Sequence, residues 1–133
     1  MATLDELGQA LKTRIETIGG LRVAWLAPDR VNIPMAIIIP NQIRYHTRSG
    51  DGMRVTFAVR VYAASVQHGS WRGMEAVIPY LDKSGVKSIK AALEADTRLG
   101  GIASFMQVHG AETFDDEEAD QWWGAVIEVE IGD

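Results

Sequence analysis

At 133 residues, 47% hydrophobic and 23% charged, the chain has the size and composition of one globular domain with one core. Its 18 acidic side chains outnumber 13 basic ones, for a formal net charge of -5, which argues against affinity built on neutralising phosphates. The absence of cysteine excludes disulfides and thiolate metal sites and is compatible with a reducing compartment; no apolar run approaches the roughly 20 residues that cross a bilayer, and no secretory signal is visible.

Thr3-Leu4-Asp5-Glu6 reads as a capping box, in which the Thr3 hydroxyl accepts the Glu6 N–H and the Glu6 carboxylate reaches back to the Thr3 N–H. Leu4, Leu7, Leu11, Ile15 and Ile18 then recur at helical spacing on one face, and Gly19-Gly20 supplies the stop. Leu21 to Leu26 is a short strand, and Ala27-Pro28-Asp29-Arg30 a turn. Met35-Ala36-Ile37-Ile38-Ile39 is apolar on both sides, as a strand buried on both faces or packed in an assembly would be, and Pro40 closes it. The arm from Asn41 to Gly52 is polar and basic, with Arg44, His46 and Arg48; Ile43 and Tyr45 extend the edge, and Ser49-Gly50-Asp51-Gly52 signals a hairpin turn.

Met53 to Tyr62 carries the clearest pattern in the chain. Met53, Val55, Phe57, Val59 and Val61 point one way, and Arg54, Thr56, Ala58, Arg60 and Tyr62 the other. This is a central strand with one face in a core. After it, Trp71, Met74, Val77, Ile78 and Leu81 have helical spacing, which Gly69 and Gly73 weaken and Pro79 bends or ends. A short helix follows, capped by Ser84 or Ser88, with Val86, Ile89, Ala92 and Leu93 inward. Ile102 to Gly110 is a strand of weaker alternation. Trp122 to Ile131 is a second clear one, with Trp123, Ala125, Ile127, Val129 and Ile131 on one face and Glu128 and Glu130 on the other. The order helix, three strands, two helices, two strands predicts a single α+β domain: a mainly antiparallel sheet of about five strands, with an N-terminal helix and two central helices packed on it.

Chemistry-bearing constellations are sparse. The chain has no P-loop, no G-x-G-x-x-G and no G-x-S-x-G elbow. His46, His68 and His109 are far apart, so zinc is a weak proposal, and no cofactor is implied. The acidic run Asp115-Asp116-Glu117-Glu118-Ala119-Asp120 lacks EF-hand spacing and reads as a solvated hairpin tip; facing a central hole, it would keep passing DNA from sticking. Trp122 and Trp123 cannot both enter one core, because successive strand residues face opposite sides. With Ile37-Ile38-Ile39, they hint at apolar surface for an oligomer.

Two segments carry a family resemblance. One opens with Leu4-Asp5-Glu6-Leu7-Gly8-Gln9-Ala10-Leu11 and runs through Gly20-Leu21-Arg22-Val23, with Pro28 and Pro34 following. The other is Lys83-Ser84-Gly85-Val86-Lys87-Ser88-Ile89-Lys90-Ala91-Ala92-Leu93-Glu94-Ala95-Asp96, closed by Leu99-Gly100-Gly101. Together they resemble the tail terminator, or minor tail completion, proteins of long-tailed phages. The resemblance implies a non-enzymatic virion part, assembled in the host cytoplasm. It would form a hexameric ring at the head-proximal end of the tail tube, ending tube growth, meeting the tube protein on one side and the head–tail connector on the other, with DNA passing through unbound. A head-closure ring is the alternative, and a small enzyme or ligand-binding domain a third. On the ring reading, Ile37, Ile38, Ile39, Tyr45, His46, Arg48, Trp71 and Trp122 are expected at subunit or partner contacts. Asp115, Asp116, Glu117 and Glu118 are expected to line the hole.

Overall fold

A computed structural model of the chain describes residues 3–26, 32–45, 52–65, 69–114 and 122–132, with side chains described for all of these but 65, 69–73, 114 and 122. The elements are α1 (Leu4–Ile15), β1 (Arg22–Trp25), β2 (Met35–Tyr45), β3 (Met53–Ser65), α2 (Gly69–Leu81), α3 (Ile89–Glu94), β4 (Phe105–Phe114) and β5 (Trp122–Gly132). A short 3₁₀ turn, Leu99–Gly101, precedes β4. The strands form one five-stranded sheet in the order β1-β2-β3-β5-β4. β3 is its middle strand, antiparallel to β2 and β5; β4 is antiparallel to β5, and only the β1–β2 pair is parallel. This is the α+β fold that the element order predicts.

The alternation in β3 decides the layering. Val55, Phe57, Val59 and Val61 are fully buried, opposite Ile131, Val129, Ile127 and Ala125 of β5. Burying each such side chain is worth about 1.5–3 kcal/mol. The same face of β2 contributes Ala36 and Ile38. Leu7, Leu11 and Ile15 of α1, Tyr80 of α2, and Ile89 and Leu93 of α3 complete this one core, so all three helices lie on a single face of the sheet.

The helices are held by specific polar contacts. The Glu6 N–H donates to the Thr3 hydroxyl oxygen at 3.1 Å, as the capping box requires, but the Thr3 hydroxyl itself donates to the Glu6 carboxylate at 3.2 Å in place of a backbone donor. Ser88, the buried polar residue of the core, caps α3 by accepting the Ala91 N–H at 3.1 Å and donates to the Asp82 carbonyl beyond α2. Arg14 ties α1 to α3 by donating to the Ala92 carbonyl at 2.9 and 3.3 Å. Trp25 bridges sheet and helix: its Nε1–H donates to Asp5 Oδ1 at 2.8 Å, and its ring meets Phe57 edge-on at 5.9 Å. The indole lies across Gly8 of α1, where an added Cβ would sit 2.6 Å from a ring carbon.

Several expectations need correction. Pro40 does not end β2. The strand continues to Tyr45 through an irregularity between Pro40 and Gln42, where β1 has ended and β2 is itself the sheet edge, a place that tolerates proline. Pro79 lies inside α2 near its end, and Tyr80 turns inward while Ile78 is 56% exposed. Val86 is not on the inner face of α3 but in the turn before it, 91% exposed. β4 runs from Phe105 to Phe114, shifted toward its C-terminal end, because the register slips between Val108 and Gly110. The turn expected at Ala27-Pro28-Asp29-Arg30 lies outside the described residues, as do His68, most of the Ser49–Gly52 turn and the acidic run.

Gly8→Ala is expected to lower stability by about 1–3 kcal/mol in urea denaturation, despite alanine's better helix propensity, because the indole must shift away from its Asp5 hydrogen bond and Phe57 contact to admit the Cβ. Burial raises the Tyr80 pKa above its ordinary 10.0. Above that ordinary value the unfolded chain releases a proton that the native state keeps, so stability falls as pH climbs toward the raised value. Tyr80→Phe is expected to flatten the drop in urea midpoint between about pH 9 and about pH 11 relative to the parent chain.

Candidate functional site

With the helices on one side, the other sheet face is made of the residues that alternate with the core. Its cross-strand rows are Arg44, Arg54, Gly132 and Phe105; Gln42, Thr56, Glu130 and Gln107; Ile37, Arg60, Val126 and Glu112; and Met35, Tyr62 and Gly124. β1 adds Arg22 and Ala24, which stand beside Met35 and Ile37. Glu128 faces Ala58 between these rows.

The charges on this face are sorted by strand. β1, β2 and β3 contribute Arg22, Arg44, Arg54 and Arg60 and no acid, whereas β4 and β5 contribute Glu112, Glu128 and Glu130 and no Lys or Arg. Arg44 sits directly opposite Arg54, a like-charge cross-strand pair of the kind that destabilises a sheet. No ion pair among the described residues engages Arg44, Glu112 or Glu128. Glu130 is engaged by His109, whose Nε2 lies 3.2 Å from its Oε1; the register slip in β4 brings His109 to this face.

Two of the arginines are fixed by aromatic rings. The Arg60 Nε–H donates to the Tyr62 hydroxyl at 2.9 Å, with the guanidinium 5.7 Å from the centre of that ring. The Arg54 guanidinium stands 5.1 Å from the centre of the Phe105 ring, two strands away. That reach is possible because Gly132 intervenes: a Cβ there would collide with Phe105 Cε1, so the ring lies flat across the glycine. The Arg54 Nε is buried with no hydrogen-bond partner among the described residues.

The sheet also has two outer edges. One is β4, exposed from His109 to Thr113. The other is β1 together with the end of β2: β1 pairs only with Met35–Ile38, leaving Ile39–Tyr45 without an outer strand partner among the described residues. The β4 edge lies on the acidic side and the β1–β2 edge on the basic side.

The residues expected at contacts are distributed unevenly. Ile38 is fully buried and Ile37 is 4% exposed within the single chain, so neither offers surface to a partner; Ile39 is half-buried. Tyr45, at 67% exposure, is the large apolar side chain left out at the end of β2. His46 and Arg48 lie outside the described residues, as do the side chains of Trp71 and Trp122 and all of Asp115, Asp116, Glu117 and Glu118. Among the described residues, Tyr45 pairs with Met53 at one end of the sheet and Phe114 with Gly124 at the opposite end. The sorting of charge by strand escaped the residue-by-residue reading. The signal was in the sequence, since no acid occurs from Val31 to Gly50 or from Gly52 to Arg72.

A cleft of about 130 Å³ opens between the helix layer and β4, lined by Tyr80, Leu81, Lys90, Val108 and Ile127 among others. Its volume is that of about four waters, and its walls are mostly apolar. No group of three His, Asp or Glu side chains among the described residues is placed to hold a metal ion. Comparison with models of known protein families and with curated proteins found no match for the chain.

A double-mutant cycle on Arg54→Met and Phe105→Leu is expected to show a coupling of about 0.5–1 kcal/mol in urea denaturation, the size of a partly buried cation–aromatic contact.

Proposed function

We propose that this chain is a structural ring protein of a phage-like tail, acting at the head-proximal end of the tube as a tail terminator. The observation that carries the reading is a one-sided domain. Its helices cover one sheet face; on the other face Met35 and Ile37 are buried, while Arg44, Arg54, Thr56, Arg60, Glu112, Glu128 and Glu130 are half-buried or exposed, as are both sheet edges. A domain of this form suits lateral assembly better than enclosure of a substrate. The resemblance of Leu4–Val23 and Lys83–Gly101 to tail terminator proteins supplies the specific identity. Within the second segment, the turn before α3 presents Lys83, Val86 and Lys87 to solvent.

On this proposal six copies close into a ring, tube growth stops on one side, and the connector docks on the other. Tyr45 and Met53 stand at one end of the sheet and Phe114 and Gly124 at the other; in sequence, Arg44 and Arg48 lie at or beyond the first end, and Asp115, Asp116, Glu117 and Glu118 follow the second. An axial ring would thereby carry a basic end and an acidic end. The acidic one suits a passage through which DNA must move without adhering.

Purified protein is expected to sediment as a ring, alone or on mixing with assembled tail-tube ends, and to block further tube growth when imaged with the tube protein. A chain that stays monomeric beside tube ends would overturn the proposal. Binding to the connector side alone would favour a head-closure ring in its place.

A further inference from the structure

Resting on the ring reading, we propose that copies of this chain join head to tail through their sheet edges. The acidic β4 edge of one copy lies along the basic edge formed by β1 and the end of β2 of the next. The partner is thus a second copy of the chain, and the contact is heterologous.

The argument starts from charge. In a lone domain, opposite charges on neighbouring strands would satisfy one another, and like charges opposite each other are unfavourable. Here the signs are kept apart, with Arg22 and Arg44 toward one edge and Glu112 and Glu128 toward the other. Arg44 faces Arg54 across the β2–β3 pair. Within one chain the two signs adjoin where β3 meets β5; at the margins they have no such neighbour, and each margin is the complement of the opposite margin of a second copy.

Strand direction agrees with charge. β2 runs antiparallel to β3, β3 to β5 and β5 to β4, so β4 runs opposite to β2. When a second copy is placed alongside in the same orientation, its β4 meets the outer edge of β2 antiparallel, with helices on the same side in both copies. That is the more favourable ladder. The levels agree as well: read through β5 and β3, Gly110–Phe114 of β4 stands level with Ile39–Met35 of β2, where β1 (Arg22–Trp25) is the outer strand, and Phe105–Val108 stands level with Arg44–Pro40.

The same charges disfavour the competing arrangements. Two β4 edges brought together would set Glu112 and Glu128 against their own copies, and two β2 edges would set Arg44 against Arg44. Edge charge is a common guard against such pairing. Here it excludes like-with-like contacts and leaves the unlike one. A heterologous contact repeated by rotation closes a ring, whereas a like-with-like contact stops at two copies.

The chain has no cysteine, so introduced thiols report the contact cleanly. Thr113 of β4 and Val23 of β1 stand at one level of the sheet and both on its helix side, Thr113 exposed and Val23 half-buried. A chain carrying Thr113→Cys and Val23→Cys together is expected to give a disulfide ladder on oxidation, while Thr113→Cys alone stays uncrosslinked. Glu112→Lys with Glu128→Lys, or Arg22→Glu with Arg44→Glu, is expected to weaken self-association by about tenfold or more at low salt. Mixing the two charge variants is expected to restore assembly in equal proportion. A dimer from Thr113→Cys alone, or assemblies indifferent to both charge variants, would overturn the edge contact while leaving a ring intact. A parent chain monomeric even at tube ends would overturn the ring reading, and the edge contact with it.

Discussion

The structure depends on one constraint: β3 must be hydrogen-bonded on both sides while burying only one of its faces. Val55, Phe57, Val59 and Val61 need cover that neighbouring strands cannot provide, since β2 and β5 lie beside them and not above. Helices from before the sheet and from between its strands therefore converge on the same side. α1 arrives through Leu7, Leu11 and Ile15, and is clamped by Trp25 across Gly8 and by Arg14 on the Ala92 carbonyl. α2 and α3 arrive through Tyr80, Ile89 and Leu93, with Ser88 joining them at their turn.

That one-sidedness has a consequence for the rest of the molecule. A sheet covered on one face exposes a row pattern on the other, and here the row pattern is charged. The charged side chains of the middle strands are anchored: Arg54 on the Phe105 ring over Gly132, Arg60 on Tyr62, and Glu130 by His109 of the β4 edge. Those nearer the edges, Arg44 on one side and Glu112 on the other, have no ion-pair partner within the described part of the chain. Cohesion is thus concentrated in the interior of the sheet and the surplus charge at its margins.

The elements read most directly from sequence were those whose period was uninterrupted. β3 and β5 alternate without a break over their core-facing residues, and α1 repeats its leucines and isoleucines from a capped start to a glycine stop. Errors arose where a backbone feature shifted the phase. In β2, proline suggested an end, but the strand passes it at an irregular edge position. In β4 the slip at His109 blurred the alternation, so the strand seemed to stop at Gly110, although it continues to Phe114. In α2, glycines and a proline left the phase loose, and Ile78 was placed inward where Tyr80 belongs. Val86 fits the helical spacing of α3 but precedes its cap, so hydrophobicity alone misassigned it.

The candidate surface shows the same division. The alternation of Arg54, Thr56, Ala58, Arg60 and Tyr62 with the core residues, and of Glu128 and Glu130 with theirs, was legible, because side-chain direction in a strand follows from covalent geometry. The strand order was not, and strand order decides what those charges do. With β5 inserted between β3 and β4, and β1 added outside β2, arginines and glutamates separate to opposite margins; another order would have interleaved them. Periodicity is a property of neighbouring residues and can be read along the chain. The charge gradient across the sheet is set by pairings between residues as distant in sequence as Arg54 and Gly132, which only the packed core selects.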